Sequence, residues 1–259
     1  AVPTLEYIEI LGRRGYDRRR MRLFRRGIDT DHFSPRDEGR LFLEDAFGVR
    51  PGVRLLYAGR VSKDKHLDLL VEVFRALAPE MPDLSLVITG DGPYLPEMRE
   101  RLADQPRAIF TGPLDPKDLP LVYSGSDLLV FPSTTDTFGM AVLEAQSCGT
   151  PALVSDVGGP KELIQHGRTG WVLNAGSIGD WVEGIRRAVE LLRVHPERFA
   201  EMGREARRRV VEQRDWDAVL RAYVDGVGQW DDGGAPDEGA RPSPPPSSGT
   251  GRVETAVRG

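Results

Sequence analysis

The chain has one cysteine in 259 residues, so it cannot form an internal disulfide. Cys148 lies in an apolar segment beside a glycine, which favours a packed thiol over a nucleophile and suits a reducing compartment. The histidines, at positions 32, 66, 166 and 195, are scattered without metal-ligand or catalytic-triad spacing. The sequence therefore predicts no metal and no other cofactor.

Long apolar runs and a large excess of charge are also missing. No run of about 20 apolar residues is present, so no ordinary membrane-spanning helix is predicted. No basic-then-apolar signal segment begins the sequence. With 35 basic and 40 acidic residues, the net charge is −5, which predicts no bulk attraction to nucleic acid. We therefore expect a cytoplasmic protein.

Arginine is concentrated in four short runs despite the acidic total. Runs of this kind usually form solvated helix faces, where the aliphatic stems cover the helix and the charges face water. A surface patch that binds phosphate or a membrane is the alternative. The runs are Arg13-Arg14, Arg18–Arg20, Arg25-Arg26 and Arg207–Arg209.

Short apolar runs alternate with stretches of helical periodicity over most of the chain. This alternation predicts a parallel sheet with helices on both faces, a Rossmann-like α/β fold. The predicted strands are Met21–Phe24, Arg54–Ala58, Leu84–Thr89, Ala108–Thr111, Leu128–Phe131, Ala152–Val154 and Gly170–Leu173. The predicted helices are Arg40–Phe47, His66–Leu77, Tyr94–Asp104, Leu119–Ser124, Phe138–Ser147, Pro160–Gln165, Ile178–Leu192 and Arg214–Trp230.

Four glycine-rich loops each follow a predicted strand and precede a predicted helix. One such loop is weak evidence, because glycine eases turns in every fold. In a parallel sheet, however, all four lie at the carboxyl ends of the strands, where ligands of such sheets bind. The loops, at Gly59, Gly90, Gly112 and Gly158-Gly159, therefore predict an anion-binding crevice.

The segment from Phe131 to Ala145 joins an apolar strand end, a Pro/Ser/Thr loop and a helix of small residues. The N–H groups and the dipole of such a helix favour an anion just beyond the strand. Asp136 stands at the junction of loop and helix, and Glu144 follows about two helical turns later. This arrangement suits a nucleoside diphosphate with hydroxyl-rich groups at both ends, as in a sugar nucleotide.

At this point the motifs resemble those of one enzyme family, the retaining glycosyltransferases of family four. Tyr57–Lys65 resembles the Gly-Arg…Lys loop of these enzymes. Asp136–Glu144 resembles their Glu-x7-Glu motif, with aspartate at the first position, and Arg26–Pro35 resembles the segment that leads into their C-terminal domain. Gly90–Pro93, Gly149–Pro151 and Gly158–Glu162 complete the pattern in the family's order.

The resemblance implies the GT-B fold, in which two Rossmann-like domains face each other across a cleft. It covers about residues 3–228 and corresponds to the C-terminal, donor-binding half. We expect residues 1–35 to form an interdomain segment and residues 36–230 the nucleotide-sugar-binding domain. Residues 231–259 are rich in Gly, Pro and Ser and are predicted to be a disordered tail, with a proline-rich docking motif as the alternative.

The resemblance also assigns roles to basic residues of the site. Arg60 and Lys65 would hold the donor phosphates and stabilise the charge that grows on the leaving diphosphate, a catalytic role. The alternative is that Arg60 pairs with a surface carboxylate and that Lys65 merely begins a helix. Gly59 lies in the same loop, and the backbone of Leu114 would contact the nucleobase.

Two carboxylates complete the predicted site. Glu144 is the expected ribose ligand, because a carboxylate can accept hydrogen bonds from both vicinal hydroxyls. Asp136 would bind hydroxyls of the transferred sugar, although a helix cap or turn is the alternative and aspartate reaches less far than glutamate. Backbone N–H groups are expected to serve the phosphates from Phe138, Gly139, Met140 and Ala141.

The expected partners follow from the same resemblance. They are a nucleoside-diphosphate sugar, no nucleic acid, and an acceptor domain that is missing from this sequence and is either encoded separately or lost by truncation. A lipid or glycolipid acceptor would bring the protein to the inner face of the membrane. A non-catalytic sugar-nucleotide-binding module remains an alternative. An oxidoreductase does not fit, because the loop after the first long strand lacks Gly-x-Gly-x-x-Gly.

Overall fold

Six parallel strands form one sheet in residues 1–227, the part of the chain that this computed structural model describes. The order across the sheet is β3-β2-β1-β4-β5-β6, so β1 and β4 are neighbours and the direction of winding reverses between them. In such sheets this switch point opens a crevice at the carboxyl ends of the strands. The strands are β1 Val53–Ala58, β2 Leu84–Thr89, β3 Ala108–Gly112, β4 Leu128–Phe131, β5 Ala152–Ser155 and β6 Gly170–Leu173.

Nine helices accompany the sheet within the described residues. α3 contacts α4 and α7, while α5 contacts α2 and α6. The helices are α1 Leu5–Arg13, α2 Gly39–Phe47, α3 Leu67–Leu77, α4 Leu95–Arg101, α5 Leu119–Ser124, α6 Met140–Ser147, α7 Ile178–Val194, α8 Pro196–Arg214 and α9 Trp216–Val227. Short 3₁₀ helices occur at Arg18–Arg20, Lys63–Lys65, Pro116–Asp118 and Gly159–Leu163.

The central strands are buried along their whole length. Every residue of β1, β2, β4 and β5 is shielded from solvent, because helices cover both faces of a parallel sheet. α3 turns one apolar face inward, with Leu67, Leu70, Val71 and Phe74 fully buried. The predicted Rossmann-like α/β fold is therefore confirmed.

One of the predicted strands is wrong. Met21–Phe24 is not part of the sheet, and Leu23 forms only an isolated bridge with Val2. The Val2 N–H donates to the Arg22 carbonyl at 2.8 Å, and the Phe24 N–H donates to the Val2 carbonyl at 2.8 Å. The apolar run is extended, as predicted, but its partner is the start of the chain rather than another strand.

Several helix boundaries also differ from the prediction. The helix predicted at Pro160–Gln165 is a 3₁₀ helix, and the one predicted from Phe138 begins at Met140. The last predicted helix begins at Trp216, and its predicted end lies outside the described residues, as does the predicted tail at 231–259. Among the described helices, none combines the length and apolar character needed to cross a bilayer.

The run Arg207–Arg209 is predicted to be a solvated helix face, and this prediction is wrong for Arg207. Arg207 lies on α8, a helix that the sequence analysis missed. Its partly buried guanidinium donates to the carbonyls of Phe33 at 3.1 Å and Thr30 at 3.4 Å. Arg208 instead forms an ion pair with Glu205 near the surface. Arg207 thus fastens the segment before α2 to α8.

Candidate functional site

A cleft of about 450 Å³ lies at the carboxyl end of the sheet, beside the switch point between β1 and β4. The loops after β1, β2 and β3 line it, together with the loop and helix that follow β4. The structure brings all ten predicted site residues together here, and what each of them binds stays a prediction. They are Gly59, Arg60, Lys65, Leu114, Asp136, Phe138, Gly139, Met140, Ala141 and Glu144.

Asp136 joins two sides of the cleft. Its Oδ2 accepts a hydrogen bond from Lys65 Nζ at 3.1 Å. Its Oδ1 accepts the backbone N–H groups of Gly139 at 2.8 Å and Phe138 at 3.3 Å. The turn role that the sequence left open is therefore present, whereas α6 has no side-chain cap. Two of the four N–H groups expected to face phosphates are bound to this carboxylate instead.

The loop before α6 is held by close backbone packing. Gly139 has φ +91°, a conformation that favours glycine. Gly159 donates its N–H to the Asp136 carbonyl at 2.9 Å, and a Cβ added there would lie 2.1 Å from the Thr137 carbonyl oxygen. Helix α6 starts directly after this loop, and its first N–H groups have no acceptor one turn earlier.

Two arginines bring uncompensated positive charge to the cleft. Arg60 and Arg26 both line it, and neither forms an ion pair with another described residue. The buried Tyr57 hydroxyl donates to the Arg60 carbonyl at 2.7 Å and so fixes the loop after β1. Burial raises the pKa of Tyr57, which keeps this hydroxyl protonated. Arg60 is therefore anchored through its backbone, while its guanidinium forms no ion pair within residues 1–227.

Glu144 projects from α6 into the opposite part of the cleft. Its Oε2 accepts a hydrogen bond from the hydroxyl of Tyr123, on α5, at 2.6 Å. Burial raises the pKa of Glu144, and the Tyr123 hydrogen bond and the charge of His32 act against this rise. Glu144 thus accepts one hydrogen bond from the described residues, at Oε2. Its Oε1 is left to accept another.

Sequence reasoning missed several residues that line the cleft. Tyr123 gave no signal beyond being an aromatic residue on a short apolar helix. Arg26 belongs to the run Arg25-Arg26, which is predicted to be a solvated helix face. It is also the first residue of the motif Arg26–Pro35, which the family resemblance includes. The missed lining residues are Arg26, Tyr57, Ala58, Thr89, Pro113, Leu119, Tyr123, Phe131 and Thr137, whereas Gly90 lines the cleft as its glycine loop predicts.

The cleft combines groups that suit an anion carrying hydroxyls. Unpaired guanidinium groups and the start of a helix attract phosphate, while a buried carboxylate accepts from hydroxyls. Its volume is within the usual range for small-molecule sites, about 300–1,000 Å³. Within residues 1–227, no three His, Cys, Asp or Glu side chains are grouped to hold a metal ion.

Sequence comparisons identify relatives with this pattern. The family described as glycosyl transferases group 1 matches residues 51–209. The sulfoquinovosyl transferase SQD2 of Arabidopsis thaliana is 32% identical over 205 residues, covering 77% of this chain and 38% of SQD2. A D-inositol 3-phosphate glycosyltransferase of Gordonia bronchialis is 31% identical over 232 residues, covering 85% of this chain and 49% of that protein. The chain thus spans less than half the length of these two relatives.

Solved structures share the fold. Anabaena HepE, in complex with UDP and glucose, superposes with a TM-score of 0.76 at 19% identity, covering 88% of this chain and 62% of HepE. The C-terminal domain of a glycosyl transferase group 1 family protein (LpcC) from Francisella tularensis gives a TM-score of 0.64 at 20% identity, covering 73% of this chain and all of that domain. At such identities the likeness shows the fold, and the match over residues 51–209 shows the family. The chain belongs to the glycosyl transferases group 1 family.

Proposed function

We propose that this chain is the donor-binding part of a retaining glycosyltransferase of family four. It transfers a hexosyl group from a nucleoside-diphosphate sugar to an acceptor. The observation that carries the proposal is the meeting of Arg60, Lys65, Glu144 and the start of α6 in one cleft at the switch point of the sheet. Family membership supports a transferase, and the UDP bound in HepE supports a nucleotide-sugar donor.

Basic groups lower the barrier to glycosyl transfer. The reaction breaks the bond between the anomeric carbon and a phosphate oxygen, so negative charge grows on the leaving diphosphate. Arg60 can hold phosphate oxygens with two N–H groups, while Lys65 supplies a point charge. Lys65 is bound to Asp136, so donor binding requires the lysine to contact carboxylate and phosphate together or to exchange one for the other.

The remaining residues recognise the two ends of the donor. Glu144 accepts from the ribose, the backbone of Leu114 and Gly59 lies against the nucleotide, and Asp136 accepts from the transferred sugar. The N–H groups of Met140 and Ala141 face the phosphates, since those of Phe138 and Gly139 are bound to Asp136. In this proposal no metal takes part.

Retention of configuration is the stereochemical part of the proposal. Asp136 and Glu144 are the only carboxylates lining the cleft among the described residues. Each is already engaged, by Lys65 and two backbone N–H groups in one case and by Tyr123 in the other. This supports same-face attack assisted by the leaving phosphate, without a covalent glycosyl-enzyme intermediate.

In this proposal, the acceptor binds to a part of the enzyme that lies outside this sequence. The chain spans 38% of SQD2 and 49% of the Gordonia relative, which supports a further acceptor domain in the complete enzyme. The name of the Gordonia relative supports an acceptor class that includes inositol phosphates. A lipid or glycolipid acceptor would place the enzyme at the cytoplasmic face of a membrane.

A second candidate is a sugar-nucleotide-binding module without activity of its own, since all the residues assigned above contact the donor. Calorimetry with UDP, GDP, ADP, UDP-glucose and GDP-mannose, combined with donor hydrolysis assays, separates the two. Binding with turnover supports the transferase, and binding without turnover supports the module. Failure to bind any of these nucleotides would overturn both.

A matched pair of variants tests the site itself. Arg60→Gln removes a cleft cation and should weaken nucleoside diphosphate binding by about tenfold or more, since charge-assisted hydrogen bonds contribute about 1.5–3 kcal/mol. Arg50 is exposed, precedes β1 and does not line the cleft, so Arg50→Gln should leave the affinity unchanged. Equal effects of the two substitutions would show that charge in general, rather than Arg60, attracts the nucleotide.

A further inference from the structure

Tyr123 is fixed from several sides at the inner wall of the cleft. Its side chain is 1% exposed, and its ring lies edge-on to Phe33 with centroids 6.2 Å apart. Its carbonyl accepts from Thr150 Oγ1 at 2.7 Å, which holds the end of α5 against the turn before β5. From this fixed position its hydroxyl donates to Glu144 Oε2 at 2.6 Å. These contacts hold the Tyr123 side chain in place, and its hydroxyl in turn holds the Glu144 carboxylate.

We propose that Tyr123 is a positioning residue that aims Glu144 at one ribose hydroxyl and thereby makes the cleft selective for ribonucleotides. The inference rests on the proposed function, since it assigns Glu144 to the donor ribose. A tyrosine hydroxyl has a single proton, and here that proton is committed to Oε2. Oε1 has no donor among the described residues, so it is the oxygen that accepts from the ligand.

This arrangement narrows the expectation that the Glu144 carboxylate accepts hydrogen bonds from both vicinal hydroxyls. Because Tyr123 holds Oε2, the Glu144 carboxylate does not rotate freely and presents Oε1 to the ligand in one orientation. A preorganised acceptor loses little side-chain entropy on binding, so the contact adds affinity and discriminates against nucleotides that lack the hydroxyl. The same hydrogen bond helps the buried carboxylate to remain charged.

The chemistry of Tyr123 suits a permanent donor. Its complete burial raises its pKa well above the usual range, so the hydroxyl stays protonated at every pH at which the protein would work. The titratable groups that face Glu144 are this hydroxyl from α5 and the ring of His32 from the segment before α2. Tyr123 alone donates to the carboxylate among the described residues.

The test compares Tyr123→Phe with Tyr94→Phe. Tyr94 is equally buried, its hydroxyl also donates to a carboxylate, Asp68, and it does not line the cleft. Calorimetry uses whichever of UDP, GDP and ADP binds the unchanged chain, together with its 2′,3′-dideoxy analogue. Tyr123→Phe should weaken binding of the ribonucleotide about tenfold and leave the dideoxy analogue within about twofold. Tyr94→Phe should change neither affinity.

A purely structural role for Tyr123 gives a different result. If Tyr123→Phe weakened both nucleotides by the same factor, the substitution would have disturbed the cleft in general and the positioning role would be overturned. If the unchanged chain did not distinguish the two nucleotides, Glu144 would not read the ribose, while nucleotide binding itself would stand. If no nucleoside diphosphate bound at all, the proposed function would fail together with this inference.

Discussion

Lys65 Nζ lies 3.1 Å from Asp136 Oδ2, while Oδ1 of the same carboxylate accepts the Gly139 N–H at 2.8 Å. One side chain therefore connects the loop after β1 with the start of α6. Beside it, the Thr135 hydroxyl donates to the Asp64 carbonyl at 3.0 Å. The two loops that carry the predicted phosphate-binding groups are thus held together by side chains of the protein itself.

The double role of Asp136 predicts that its charge and its turn hydrogen bonds can be separated by substitution. Asp136→Asn keeps an oxygen that can accept the Gly139 N–H, so the melting temperature should change little, whereas donor turnover should fall about 100-fold because the Lys65 contact loses its charge. Asp136→Ala removes the turn hydrogen bonds as well and should lower the free energy of unfolding by about 1 kcal/mol. Thermal unfolding and a donor hydrolysis assay measure the two effects.

Asp17 provides the control for these variants. It accepts the Arg19 N–H at 3.0 Å and pairs with the Arg19 side chain at 3.2 Å, so it also binds a backbone N–H and a cation, but outside the cleft. Asp17→Asn should leave turnover unchanged. If Asp136→Asn lowered stability but left donor binding and turnover intact, Asp136 would be a turn residue and nothing more.

The sheet and the ligand-binding edge could be predicted from sequence because both depend on local patterns. The buried strands, such as Leu84–Thr89, are short apolar runs, and the glycines after them mark the carboxyl edge. Met21–Phe24 has the same local pattern, and its wrong assignment shows that apolar character does not identify the partner of an extended segment. α8 was missed because its many charges hide the apolar spacing of Phe199, Met202 and Ala206.

The contacts that join the side chains of the site could not be predicted from the sequence, and the reason is a different one. The Tyr123 hydroxyl meets Glu144 only because α5 and α6 are packed side by side, and the two residues are 21 positions apart. Likewise, no local signal shows that Asp136 binds Lys65, 71 positions earlier. Motifs supplied the residue types of the site, whereas the pairing among them depends on tertiary structure.

Gly159 is predicted to be intolerant of a methyl group. A Cβ there would lie 2.1 Å from the Thr137 carbonyl oxygen and 2.5 Å from its carbonyl carbon, so the backbone of the Asp136 loop would have to move. Gly159→Ala should lower the free energy of unfolding by about 2 kcal/mol, as overpacking does, and weaken nucleotide binding. Denaturant unfolding and calorimetry measure these changes.

Gly179 is the matched glycine for this experiment. It lies in the first turn of α7, where an added Cβ would meet only Ser177 Oγ, at 3.8 Å. Gly179→Ala should raise the free energy of unfolding by about 0.5–1 kcal/mol, because alanine loses less backbone entropy in a helix. Unchanged stability in Gly159→Ala would mean that the loop is less tightly packed than its geometry indicates.

Cys148 is predicted to be chemically inert in the folded protein. The thiol is 3% exposed, and burial raises its pKa to about 12, so almost no thiolate forms at pH 8. An aromatic disulfide reagent should therefore label it only as fast as the chain unfolds, and labelling should become rapid in denaturant. Fast labelling of the folded chain would show that the end of α6 opens readily.

Glu144→Gln should make the protein more stable while it loses nucleotide affinity. Burial raises the pKa of Glu144, so the folded state binds this proton more tightly than the unfolded chain does. The resulting stabilisation is complete below the ordinary carboxyl pKa and is lost as the pH rises through the raised value in the folded state. A neutral glutamine therefore avoids, at pH 7, a penalty that the carboxylate carries.

The size and pH dependence of this effect distinguish it from a general surface effect. Glu144→Gln should raise the free energy of unfolding at pH 7 and should change it much less at pH 4, below the ordinary carboxyl pKa, where Glu144 is itself protonated. Glu100, an exposed residue of α4, gives the control Glu100→Gln, which should show no such difference. Denaturant unfolding at both pH values tests the stability, and calorimetry at pH 7 tests the loss of affinity. A less stable Glu144→Gln variant at pH 7 would show that the Tyr123–Glu144 hydrogen bond outweighs the burial of the charge, so the carboxylate would be a structural residue as much as a ligand.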